Sequence, residues 1–146
     1  MNRSRILVTL ALVACSSKDD KPRPSDDLAD IKSEAAVEWA RKELPDIDAR
    51  LASSDPGRAS STCAVIKPDM AKIKKADPEL AAILERKCGR DLAVRSMTIA
   101  VERAEKDHWD CSSIPVYEKS IAAAGAGSDP EVIKLRERVA VACAKK

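Results

Sequence analysis

The sequence has no phenylalanine, one tyrosine, two tryptophans, one histidine and four glycines in 146 residues. An aromatic content of 2% leaves little of the Phe, Tyr and Trp on which β-sandwiches and barrels draw. The same shortage deprives a base-stacking nucleic-acid surface of its rings. A single histidine cannot complete the usual zinc set. No Cys-x-x-Cys, no Cys-x-x-Cys-His and no phosphate-cradling glycine loop is present. A nucleophile elbow is also missing, which removes the commonest hydrolase signature. What remains is a chain that is 45% hydrophobic and 34% charged, ordinary for one soluble domain and rich in alanine. These features predict a noncatalytic, all-α protein with no cofactor and no bound metal.

The N-terminus reads as an address. Arg3 and Arg5 precede an apolar run from Ile6 to Ala14, broken only by Thr9, and Cys15 follows at once ahead of a polar stretch. This is the order of a secretion signal. Nine apolar residues span about 14 Å as a helix, well short of the roughly 30 Å hydrocarbon core of a bilayer. Leu12-Val13-Ala14-Cys15 resembles the lipobox of bacterial lipoprotein precursors. That resemblance implies lipid on the Cys15 sulfur and cleavage just before it, so that residues 1–14 are a signal peptide. Ser16 after the Cys implies sorting to the outer membrane in an enteric-type envelope. No family resemblance is evident for the rest of the chain.

Cleavage would remove two of the 26 basic residues and none of the 24 acidic ones, leaving the mature chain with balanced charge. Long-range attraction to nucleic acid is therefore not expected. Residues 16–27 hold Lys18, Asp19, Asp20, Lys21, Pro22, Arg23 and Pro24 among others, with no large apolar side chain to bury. Residues 15–27 accordingly read as a lipidated Cys with a solvated tether reaching at most about 40 Å. The folded domain is expected over 28–146.

Within that domain, Val37, Ala40, Leu44, Ile47 and Leu51 recur at helical spacing, and Leu28, Ile31, Ala35 and Trp39 form a second row. Pro45 permits a break in this opening helix. Asp77-Pro78-Glu79 and Asp129-Pro130-Glu131 are helix starts: Asp caps backbone N–H groups, Pro fits the first turn, and Glu meets the positive helix end. Ser54-Asp55-Pro56-Gly57 is a turn, while Cys88-Gly89-Arg90-Asp91 and Ala124 to Ser128 are expected to interrupt helices.

These marks form an internal repeat: Cys63, Pro68, Asp77-Pro78-Glu79, Cys88, then Cys111, Pro115, Asp129-Pro130-Glu131, Cys143. The arm before the turn is 14 residues in one copy and 18 in the other, and the arm after it 11 and 14. Both arms lengthen by about one helical turn, as a hairpin closed by a bond across its open end requires. Of the three pairings four cysteines allow, Cys88 with Cys111 is removed. The helical pattern of Leu92 to Asp107, with Ala93, Met97, Ala100, Val101 and Ala104 on one face, sets them about 30 Å apart. Cys63–Cys88 with Cys111–Cys143 and Cys63–Cys111 with Cys88–Cys143 both remain, and equal-arm closure favours the first. The expected fold is a small bundle of six or seven helices containing two disulfide-stapled hairpins.

Candidate sites are few. His108 could serve an acid-base pair, but it continues the apolar face of its helix near the C-terminal end, where a structural role suffices. Carboxylates sit beside bases at helical spacing, as Glu102 does with Lys106. A local excess of base, Lys67, Lys72, Lys74, Lys75, Arg86, Lys87 and Arg90, could contact an acidic partner or lipid headgroups. Asp69, Asp77, Glu79, Glu85 and Asp91 dilute it. Trp39, Trp109 and Tyr117 could anchor an interface, though a core short of rings would use them first. The expected function is a membrane-anchored envelope lipoprotein engaging a protein partner. Its alternatives are a small-ligand or envelope-polymer binding module with a cleft between hairpins and, more remotely, an enzyme using His108.

Overall fold

The computed structural model describes residues 24–144; the side chains of 24–31 and 108–110 lie outside that description, as do the lipobox and most of the tether. The described backbone is helical apart from its turns, without strands. Seven α-helices run α1 (Pro24–Ala52), α2 (Gly57–Ile66), α3 (Met70–Ala76), α4 (Pro78–Arg86), α5 (Leu92–Lys106), α6 (Ile114–Ala123) and α7 (Pro130–Ala144). A 3-10 turn over Lys67–Asp69 joins α2 to α3, and a π-helical segment over Lys87–Asp91 joins α4 to α5. The described chain therefore forms five continuous rods rather than six or seven separate helices.

Two sequence expectations change. Cys88-Gly89-Arg90-Asp91 does not break the helix. Gly89 keeps a negative φ, the one positive φ among the described residues being Gly125 at 66°, and the wider π turn carries the chain onward. Pro45 likewise interrupts nothing, since α1 runs through it. Pro45 is exposed while Ala40 and Ile47 are fully buried, so packing on both sides of it holds one axis. Helix α1 also starts at Pro24, four residues ahead of the expected Leu28, with proline in the first turn where its missing N–H costs nothing.

The core divides in two along the α4–α5 rod. One cluster gathers Ala36, Ala40 and Ile47 of α1 with Ile66, Ile73, Leu80, Ala81 and Leu84, and Trp39 packs against it. The other gathers Ala93, Val94, Met97, Ala100 and Val101 of α5 with Ile114, Ile121, Val132 and Leu135, with Tyr117 packed against it. Each cluster is thus one long helix laid on one hairpin, and the rod passes from closing the first hairpin to backing the second. On α1, Ala35 is exposed, so the second row of the opening helix is not a continuous buried face.

Both hairpins are closed at their open ends. Cys63 bonds Cys88 with Cα atoms 5.5 Å apart, and Cys111 bonds Cys143 at 5.8 Å. This is the pairing that equal-arm closure favours. At the turns, Asp77 Oδ1 accepts the Leu80 N–H at 2.9 Å, and Asp129 Oδ1 accepts the Glu131 N–H at 3.0 Å.

Candidate functional site

A groove lies between the hairpins, over the Cys63–Cys88 disulfide. Three helices build it, each contributing a row at helical spacing: Gly57, Ser60, Ala64 and Lys67 from the α2 side, Leu92, Ser96, Ile99 and Arg103 from α5, and Val116, Ser120 and Ala123 from α6. One part, of about 660 Å³, runs between α2 and α6 across α5. The other, of about 670 Å³, extends past Cys63 to Met70 and Leu84, and the two share Ser60, Lys67, Cys88, Gly89 and Leu92. Volumes of this order fall within the range of ligand-binding clefts.

The α5 row explains how the groove arises. Ala93, Met97 and Ala100 face the second core, Ala104 is buried on the same row, and the adjacent row Leu92, Ser96, Ile99 and Arg103 lines the groove. The π segment enters it through Cys88 and Gly89, placing the disulfide in its floor. Val116 is 63% exposed at its rim, an apolar side chain with little cover. Tyr117 is half-buried, packed against the second core and also lining the groove.

Electrostatics divide the basic cluster expected from the sequence into a paired majority and Lys67, which lines the groove. Lys72 pairs with Asp69 at 2.5 Å, Lys74 with Glu85 at 3.3 Å, Arg86 with Asp91 at 3.7 Å, and Lys87 with Asp48. Arg90 pairs with Asp91 at 2.9 Å and Asp129 at 2.5 Å, and Lys75 also has an interaction of its own. Six of its seven members are thus engaged within the molecule, and Lys67 is the exception. Lys67 and Arg103, which line the groove, are exposed and have no hydrogen bond or ion pair through their side chains among the described residues. One carboxylate, Asp55, also lines the α2–α5–α6 part, and its Oδ1 accepts the Gly57 N–H at 3.1 Å.

Other charges act as fasteners between helices. Arg41 reaches from α1 to Asp77 at 2.6 Å, and the Leu80 N–H together with Arg41 holds the Asp77 carboxyl below its usual range. The Glu131 N–H and Arg90 do the same for Asp129. Arg138 forks onto Glu105 at 2.9 and 2.8 Å, joining α7 to α5 and lowering the Glu105 pKa. Arg136 grips Glu118 at 2.7 Å and the Gly127 carbonyl at 2.8 Å, again lowering the carboxyl and tying α7 to α6 and the turn. Arg95 spans to the Ser53 carbonyl at 3.0 Å beyond α1, and its Nε is buried without a hydrogen-bond partner among the described residues.

Of the remaining sequence candidates, His108 and Trp109 fall in the 3-10 segment His108–Ser113, and their side chains lie outside the description. Trp39 is half-buried on the first core. Among the described residues no three His, Cys, Asp or Glu side chains gather as a metal site, and no helix is long and apolar enough to cross a membrane. A cleft between hairpins enters the sequence reading only through the alternative of a binding module, without its α5 and α6 walls. The signal was present as the second row on α5, beside the apolar row that was read as core. Comparison with protein-family models, curated proteins and solved structures finds no match.

Proposed function

We propose that this chain is the precursor of a lipid-anchored envelope protein whose helical domain is a noncatalytic interaction module. The observation that carries this reading is the ordered run of Arg3, Arg5, the apolar stretch to Ala14 and Cys15. Two disulfides closing the hairpins support an oxidising, exported setting, because thiols are kept reduced in the cytosol. The lipid on Cys15 holds the protein at the membrane, facing the periplasm where the envelope has two membranes, and the tether lets the domain reach a protein partner. Such an anchor needs one further signal or a second acyl chain for lasting attachment.

The test has two arms. Cys15→Ser should move the protein from the membrane fraction to the soluble fraction and abolish metabolic labelling with a radioactive fatty acid. Retention and labelling unchanged by that substitution would defeat the anchor. Cross-linking of the lipidated protein in its own envelope should then capture a specific protein at near-stoichiometric yield, against an unrelated lipoprotein as control.

A second reading, a module for a small ligand or an envelope polymer, is favoured by the groove between the hairpins. A thermal shift on adding a defined ligand, with no enriched protein on cross-linking, would select it.

A further inference from the structure

We propose that the groove between the hairpins is the docking site of this interaction module, and that it takes an extended acidic peptide segment of a partner protein. The inference rests on the proposed function, and it names the face and the chemistry of the partner.

Charge, shape and length each contribute. Lys67 and Arg103 line the groove and lack partners among the described residues, whereas Lys72, Lys74, Arg86, Lys87 and Arg90 of the first hairpin and π segment are met by carboxylates of the chain itself. An anionic group supplies what the fold withholds from these two side chains. Between them lie the apolar Leu92 and Ile99, with the exposed Val116 at the rim, so the occupant has apolar side chains as well as charge.

Cys88, bonded to Cys63, precedes Arg103 by fifteen residues of the rod, and Lys67 follows Cys63 by one helical turn toward the Asp77 turn, so the backbones carrying the two charges stand at least that far apart. At about 1.5 Å per residue, that is roughly 20 Å. A small molecule with one anionic group does not bridge this span, but about six residues of extended chain do. A glycan would call for aromatic platforms, and among the described residues the groove holds one ring, Tyr117. Ser60 and Ser96 lie along the path, and their side chains make no hydrogen bond among the described residues, so they are placed to meet a passing backbone.

The probe is a fluorescein-labelled hexapeptide with Glu at both ends and Leu, Val and Ala between, compared with a twin ended by Gln. Fluorescence anisotropy with the full-length protein in detergent should show the Glu-ended peptide binding at least about tenfold more tightly, with a preference that fades as salt rises. Arg103→Gln and Lys67→Gln should each remove most of that preference, Arg103→Lys should restore part of it, and Lys72→Gln, outside the groove, should leave it intact. Circular dichroism of each variant separates lost binding from lost fold.

Equal affinity for the two peptides, no binding at about 1 mM, or a preference untouched by both glutamine variants would each overturn the proposal. So would binding of an acidic polysaccharide such as polygalacturonate in place of the peptide. Failure here alongside a Cys15-dependent, specific cross-linked partner would reject this groove and leave the interaction module standing. Failure of both arms would reject the module itself.

Discussion

Arg90 holds Asp129 from the π segment in the middle of the rod: its Nε and Nη2 lie 2.7 and 2.5 Å from Oδ2, while Oδ1 accepts the Glu131 N–H at 3.0 Å. One carboxylate thereby starts α7 and pins the second turn to the π segment. The first unit repeats the device, with Asp77 capping α4 and bound by Arg41 of α1. Each unit is therefore a long helix carrying an Arg and a hairpin whose capping Asp receives it. Stability at the turns should depend on these two aspartates more than on the exposed ion pairs along the helices.

Substitution separates the cap from the ion pair. Asp77→Ala and Asp129→Ala remove both and should each lower the melting temperature by several degrees in a circular dichroism scan. Asn caps about as well as Asp but carries no charge, so Asp77→Asn and Asp129→Asn should recover most of that loss. Asn variants as unstable as the Ala ones would place the stabilisation in the Arg contacts.

The pH dependence follows from the same groups. Asp77 and Asp129 are lowered first by backbone N–H groups, and Glu105 and Glu118 by Arg138 and Arg136. A carboxyl lowered in the folded state binds fewer protons there than in the unfolded chain, so these groups add stability above the ordinary carboxylate range. That stability is lost as pH falls from about 4 through their folded values. Urea midpoints should be flat from pH 7 to about 5 with respect to these four groups and drop steadily below about 4. Glu118→Gln should weaken the acid-side dependence.

Much of this architecture is visible in sequence because the repeat constrains several positions at once. Ile66 and Ile73 stand three and ten residues beyond Cys63, and Ile114 and Ile121 stand at the same offsets from Cys111, all four buried. The paired Asp-Pro-Glu starts and the equal-arm argument lead to the observed disulfides. The junction at Cys88-Gly89 was harder to read. Glycine after a helix usually signals a stop, and nothing local distinguishes a π turn that continues. The groove was hidden for a related reason: Ser96 and Arg103 look like a solvated flank of α5 until α2 and α6 are placed on either side. Charge pairing was also illegible, because Asp129 reaches Arg90 across 39 residues of sequence.

Two glycines with opposite φ should respond in opposite directions. A Cβ at Gly89 meets no atom within 4 Å, and its φ is negative, so Gly89→Ala restricts the unfolded chain without strain. It should stabilise by about 0.4 to 1 kcal/mol. Gly125 has φ 66°, and there Gly125→Ala should cost about 1 to 2 kcal/mol through left-handed backbone strain, although no atom crowds its Cβ. Urea denaturation of the two variants checks both signs. Destabilisation by Gly89→Ala would mean that the π turn needs glycine for more than its lack of a side chain.

The two disulfides should differ when removed, although their loops of 25 and 32 residues predict nearly the same chain-entropy contribution, about 3 to 4 kcal/mol each. Cys63 is buried in the first core, with Cys88 packed against it, whereas Cys111 and Cys143 are each half-buried and belong to neither core cluster. Replacing Cys63 and Cys88 together by Ala removes packing atoms as well as the bond. That variant should lose more than the entropic amount, while Cys111→Ala with Cys143→Ala should lose about that amount or less. Reduction by dithiothreitol keeps the sulfur atoms in place, so each singly bridged variant provides a reference in which only the link is cut. If the Cys63, Cys88 variant falls no further in urea than the Cys111, Cys143 variant, the first bridge acts through chain constraint alone and its burial contributes nothing extra.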